Sequence, residues 1–127
     1  RALQAFPELA QYAERLVAAW AQDPTLATLE GVNATVILGD ARQSLAAAAF
    51  QADAWFLDGF SPAKNPALWD TDLMAQVGTH TKAGGTAATY TAAGFVRRNL
   101  EAAGFTVSRT PGFGRKRHMT QCEKPTT

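Results

Sequence analysis

The stretch Asp53–Trp69, DAWFLDGFSPAKNPALW, decides the fold. Ala54–Leu57 is a short apolar run of the kind found in strands buried on both faces. Asp58-Gly59 ends it. A loop stiffened by Pro62 and Pro66 follows, and Leu68–Val77 is expected to be a helix. Toward the N-terminus, Ala41–Phe50 is alanine-rich and reads as a helix. Ala34–Leu38, ATVIL, reads as another buried strand, closed by Gly39-Asp40. Further back, Leu9, Tyr12, Leu16, Val17 and Trp20 recur at spacings of three and four, an amphipathic helical stripe. Pro7 suits its first turn and Asp23-Pro24 its end. Toward the C-terminus, Ala83-Gly84-Gly85 reads as a turn, Thr86–Thr91 as a strand and Ala92–Ala103 as a helix capped by Gly104. Phe105–Arg109 and Arg117–Glu123 read as strands joined by the turn Pro111-Gly112-Phe113-Gly114. Strands and helices alternate until this final hairpin. The expectation is an α/β fold with a mostly parallel sheet and a C-terminal antiparallel hairpin supplying its edge.

The 127 residues are enough for about one domain, with no repeats and no obvious linker. Hydrophobic content of 46% and charged content of 18% fit a globular chain. No apolar run approaches the ~18–20 residues of a membrane span, so no membrane partner is expected. Cys122 is the single cysteine, which excludes a disulfide framework and a cysteine-rich zinc site. A reducing cytoplasm is the simplest setting. The chain opens on Arg1 without a secretory pattern, and is expected to begin inside a longer gene product. The net charge of +1 is unevenly spread. Residues 1–96 carry five basic and nine acidic side chains, whereas residues 97–127 carry seven basic and two acidic. A basic C-terminal third can attract phosphates, or can be an ordinary solvated edge.

In open α/β sheets, ligands sit beyond the carboxyl ends of the strands. Asp40 and Asp58 both fall there. Asp40 could accept a hydrogen bond from an adenine amino group, with Ala41 against the ring, or could cap the next helix. Two acceptor oxygens allow both roles. Asp58, followed by glycine and an aromatic, could accept from a substrate amine or cap its own loop. Phe60 can stack on a flat ring and Asn65 can read a polar base edge, beside Pro62 and Lys64. Trp69 is better placed in the core. Arg115-Lys116-Arg117 puts three cations on a turn beside Phe113, suited to a phosphate backbone. His80 and His118 lack metal-ligand spacing and read as ordinary residues. Ser44, Ser61 and Ser108 lack a recognisable base partner.

Three strings, DAWFLDGFSPAKNPALW, TYTAAGFVRRNLEAAGFTV and GFGRKRHM, resemble the methyltransferase domain of the MnmC family. These bifunctional enzymes complete 5-methylaminomethyl-2-thiouridine in the tRNA anticodon. The similarity runs in one register from about Ala2 to Glu123. It implies a class I, S-adenosylmethionine (SAM)-dependent, Rossmann-like fold with strand order 3-2-1-4-5-7-6, and methyl transfer to the primary amine of 5-aminomethyl-uridine in tRNA. It implies that Asp40 and Ala41 flank the adenine of SAM. Asp58 would face the substrate amine and the methionine end. Phe60, Pro62, Lys64 and Asn65 would flank the base, and Arg115, Lys116 and Arg117 would meet tRNA phosphates. FAD is implied only if the family's oxidase domain is fused to the same protein.

The family's glycine-rich loop and the acidic residue after its second strand have no counterpart here. The expectation is therefore an incomplete sheet, with the first two strands and the glycine-rich loop missing. ATVIL would then either pair with AWFL or be displaced, because unpaired buried strand groups are costly. SAM binding by the isolated chain is expected to be very weak. Three other readings stay open: a methyltransferase for a different substrate, a non-catalytic RNA-binding fragment, and a nicotinamide- or flavin-dependent oxidoreductase. The last lacks a dinucleotide fingerprint.

Overall fold

The computed structural model describes residues 2–23, 25–29 and 31–126. The chain divides into two compact units, residues 1–39 and 40–127.

In the first unit, the short helix α1 (Ala2–Ala5) and a 3-10 turn (Pro7–Leu9) precede helix α2 (Ala10–Gln22). Pro7 occupies the first position of its turn, as its fixed φ favours. The helix stops at Asp23, whose backbone is extended and whose N–H still donates to the Ala19 carbonyl at 3.1 Å. Pro24, expected to help end the helix, lies outside the described residues. The apolar stripe Leu9, Tyr12, Leu16, Val17 and Trp20 is exposed along its length. Strands β1 (Leu26–Leu29) and β2 (Val32–Thr35) form an antiparallel hairpin, with Leu26 opposite Thr35 and Leu29 opposite Val32. Gly31 supplies the left-handed residue of its turn, at φ +80°. This corrects the buried strand expected at Ala34–Leu38. The strand ends at Thr35, pairs within the hairpin and does not join the larger sheet. Ile37 and Leu38 are exposed.

The second unit holds a four-stranded sheet. In chain order its elements are α3 (Ala41–Ser44), β3 (Ala52–Phe56), a 3-10 turn (Pro66–Trp69), α4 (Thr71–Thr79), β4 (Thr81–Thr89), α5 (Gly94–Ala102), β5 (Thr106–Pro111) and β6 (His118–Glu123). The sheet order is β3-β4-β6-β5. β3 and β4 are parallel, whereas β6 runs antiparallel to both β4 and β5. The fold is therefore α/β with a mixed sheet, but the reversed strand is not at the edge. β6 lies inside, and β5 takes the edge. Two further expectations are corrected. The alanine-rich helix stops at Ser44, and the Ala48 carbonyl accepts instead from the His80 ring at 2.9 Å. Residues 83–85 are not a free turn. β4 runs through them as a bulge, with Ala52 opposite Thr81 but Ala54 opposite Thr86.

The core lies on one face of this sheet. Helices α4 and α5 bring Leu73, Met74, Val77, Val96 and Leu100 against Ala87, Phe105 and Cys122, with Trp69 sealing one end. The two helices approach closely at Gly78, where a β-carbon would collide with the Ala103 carbonyl. Gly104 ends α5 at φ +99°. Cys122 is buried, and burial foremost pushes its thiol up to about 11, so it is no nucleophile at neutral pH.

Candidate active site

The carboxyl ends of β3 and β4 form the candidate site, because both parallel strands deliver their last side chains to the same edge. β3 delivers Leu57 and Asp58, and β4 delivers Tyr90. The loop after β3 is held by three hydrogen bonds, one within the loop and two from outside it, at Gly59 and Phe60. The Gly59 N–H donates to its neighbour's carboxylate, Asp58 Oδ1, at 2.8 Å. Tyr90 Oη donates to the Gly59 carbonyl at 2.8 Å. Trp69 Nε1 donates to the Phe60 carbonyl at 2.9 Å. Trp69 is buried, as the sequence suggested, and thus acts as a post to which the loop is tied.

Asp58 lines two crevices. One, of about 190 Å³, lies toward α3 and is walled by Ala41, Leu45, Leu57, Leu68, Trp69 and other core side chains. The other, of about 300 Å³, lies over the β3–β4 edge and is walled by Phe56, Leu57, Ala88, Thr89, Tyr90 and Met119. Asp58 is thus the charged residue that lines both the apolar slot and the open groove.

Asp40 caps α3. Its Oδ1 accepts from the Arg42 N–H at 3.0 Å and from Arg42 Nε at 3.1 Å, and its Oδ2 accepts from Arg42 Nη2 at 2.7 Å. The Arg42 guanidinium, and then the Arg42 amide, hold the Asp40 carboxyl down at about 2. The capping role is present, and the lone pairs left over face solvent. Ala41 lines the slot beside Asp58.

The loop residues divide. Phe60 is exposed, with its ring free to stack, whereas Pro62 is buried and lines neither crevice. Asn65 is half-buried. Its N–H donates to the Ser61 carbonyl at 2.9 Å, and its side chain makes no cap to the following turn. Lys64 is exposed, and its N–H bonds to the same Ser61 oxygen. Arg115, Lys116 and Arg117 are exposed on the β5–β6 turn, and Lys116 Nζ lies 5.6 Å from the Tyr90 ring centroid. Basic turn and acidic strand end are therefore brought together through Tyr90.

Sequence reasoning passed over Tyr90 and Met119. Tyr90 carried a usable signal, since it ends a strand just as Asp58 does. Met119 carried none, because its place depends on β6 entering the sheet beside β4.

The class comes from the match to a known family. Residues 6–125 match a family described as S-adenosyl-L-methionine-dependent methyltransferase, and the chain belongs to that family. SAM is accordingly its cofactor. The particular relatives carry one name. The chain is 44% identical to the tRNA 5-methylaminomethyl-2-thiouridine biosynthesis bifunctional protein MnmC of Hahella chejuensis, over 98% of this chain and 21% of that protein. It is 47% identical to the MnmC of Caulobacter sp. strain K31, over 98% of this chain and 22% of that protein. A crystal structure of MNMC2 from Aquifex aeolicus superposes with a TM-score of 0.68 at 34% identity, covering 79% of this chain and 34% of that one. The chain thus spans about a fifth of the length of these curated relatives.

The residues present fit part of the cofactor. A flat ring and a sulfonium suit an apolar slot with a carboxylate at its mouth. A slot of about 190 Å³ is nevertheless below the ~300–1,000 Å³ typical of sites that enclose a whole ligand of that size.

Proposed function

We propose that these residues carry the acceptor side of a methyltransferase that acts on the aminomethyl nitrogen of a modified wobble uridine in tRNA, in the cytoplasm. The observation that supports this most is the position of Asp58, shared between the slot beside Ala41 and the groove beside Tyr90. SAM, when bound, supplies an electrophilic methyl group. The chain's own residues must present a nitrogen with a free lone pair. The Asp58 carboxylate accepts an N–H from the amine, aims it and offsets the positive charge that develops on it. Its loop is held in place by Tyr90 and Trp69. Phe60 is free to stack on the base, with Asn65 at its edge. Ala41, with Asp40 behind it, forms the adenine side. Arg115, Lys116 and Arg117 meet the tRNA backbone. On this reading the four strands correspond to the 4-5-7-6 half of a seven-stranded sheet.

The test is a chimera in which residues 6–125 replace the matching segment of the Hahella chejuensis protein. It should transfer label from SAM to aminomethyl-uridine tRNA, and Asp58→Asn should lower kcat about 100-fold. Unchanged turnover in that variant would remove Asp58 from its role. A chimera that methylates a small amine but not tRNA would reassign the substrate. For the 127-residue chain alone, calorimetry should find only weak, millimolar-range SAM binding. Micromolar affinity would contradict the partial fit of the slot.

A further inference from the structure

The basic surface is wider than the turn that the sequence displays. Thr120 and Cys122 on β6 are buried on the helix side of the sheet, so His118, two and four residues earlier, points to that side as well. Arg109 lies opposite Thr120 and Pro111 opposite His118, which puts Arg109 diagonally across from the imidazole on the same face. The first turn of α5 closes the third side. Thr120 Oγ1 donates to the Thr91 carbonyl at 2.7 Å, and Arg97 Nε donates to the Ala92 carbonyl at 3.3 Å. Arg97 and the end of β6 therefore meet around the Thr91-Ala92 segment. Arg117 is the chain neighbour of His118.

The imidazole thus faces one arginine from each element around it: β5, α5 and the turn. Among the described residues, none of these three arginines is ion-paired, since the salt bridges there are Arg42–Asp40 and Lys82–Asp53. Partial burial, and then Arg109, Arg117 and Arg97, hold the imidazole below its usual range. Unrelieved repulsion of this kind is what an incoming anion removes.

We propose that Arg97, Arg109, Arg117 and His118 form a phosphodiester site for the RNA backbone, whose affinity is linked to protonation of His118. The proposal rests on the tRNA reading above, shares Arg117 with it and adds Arg97, Arg109 and His118. The site lies beyond Thr89, at the strand end that also carries Tyr90. A backbone that crosses Lys116 at Tyr90 would continue onto this cluster. A bound phosphodiester offsets the three guanidinium charges, so the ring takes up a proton and adds a further cation. Affinity should therefore rise as pH falls from 8 to 6. Phosphodiesters do not titrate in that range. The other histidine, His80, is buried between the Gln76 and Ala48 carbonyls.

The experiment measures binding of unmodified tRNA to the 127-residue chain, across salt at pH 6 and pH 8. Arg109→Gln and Arg97→Gln should each lower the slope of log K against log salt by about 0.7–0.9, and weaken binding about tenfold at low salt. Arg109→Lys should keep the slope, which separates charge from fold. His118→Gln should match the unsubstituted chain at pH 8 and abolish its gain at pH 6. Suppose the arginine variants keep the full slope while charge removal at Arg115 and Lys116 lowers it. This proposal then falls and the turn stands as the RNA contact. If the unsubstituted chain does not bind RNA, or no basic substitution changes the slope, both readings fall. A pH response that survives His118→Gln overturns the proton linkage.

Discussion

Trp69→Phe tests whether the active-site loop is tied to the core. The indole is buried at 1% exposure and donates to the Phe60 carbonyl at 2.9 Å. Phenylalanine fills most of the site but cannot donate. Loss of one partly buried hydrogen bond costs about 1 kcal/mol. The smaller ring leaves a void of roughly 40 Å³, worth about 1 kcal/mol more at ~24 cal/mol per Å³. The expected loss is about 2 kcal/mol. Amide hydrogen exchange at Val96 and Leu100 is a suitable assay, because both side chains are fully buried in α5 and report the opening of the second unit alone. Exchange there should accelerate roughly 30-fold. Acceleration below about threefold, or about 0.7 kcal/mol, would refute the reasoning and mean that Asp58 is placed by other means. Tyr90→Phe is the companion arm. It removes only a half-exposed bond to the Gly59 carbonyl, so core exchange should hardly move while the loop loosens.

Two further outcomes rest on ion pairs and charge-assisted bonds elsewhere in the second unit. The Asp40 carboxyl is depressed from 3.8 to about 2 in the folded chain, so its contribution to stability is full above about pH 4 and lost as pH falls toward about 2. Carboxyl NMR should show that low midpoint, and Arg42→Gln should return it toward 3.8; a midpoint unmoved by that substitution refutes the assignment to Arg42. Lys124 Nζ donates to the Gly78 carbonyl at 2.8 Å and the Thr81 carbonyl at 2.7 Å, where α4 ends and β4 begins. Lys124→Met should cost about 2 kcal/mol in chemical denaturation, through two charge-assisted bonds at a helix C-terminus. A loss under 0.5 kcal/mol, on that same scale, would show that water replaces the ammonium.

What was legible in the sequence was local. Asp58 could be found because a short apolar run followed by Asp-Gly marks a strand end by itself. Trp69 could be placed in the core, and the cations at 115–117 on a turn, for similarly local reasons. The misreadings share a cause, which is pairing that the local residues do not announce, with a hairpin neighbour in one case and with segments remote in sequence in the others. ATVIL has the β-branched content of a buried strand, but Leu26–Leu29 captures its first half across Gly31. The alanines after Ser44 favour a helix by propensity, yet the Ala48 carbonyl is claimed by His80, thirty-two residues away. Gly84-Gly85 looks like a turn until Lys124 is present. The Gly84 N–H donates to the Lys124 carbonyl and the Lys124 N–H to the Gly85 carbonyl, each at 2.8 Å, which holds the bulge inside the strand. The cluster of Arg97, Arg109 and His118 was invisible for the same reason, since its members meet only once β6 is inserted beside β5.

That insertion sets a timetable for the newborn chain. β4 and β5 are synthesised first, but they never touch each other in the sheet, and the segment that bonds to both is His118–Glu123. Until those six residues emerge from the ribosome, Thr86–Thr89 and Thr106–Pro111 each present an open edge to whatever is nearby. The one strand that pairs with both neighbours also sends Met119 to the groove beside Tyr90 and, by alternation, His118 to the helix side of the sheet. A chain that ends before His118 would lack the strand that joins Thr86–Thr89 to Thr106–Pro111.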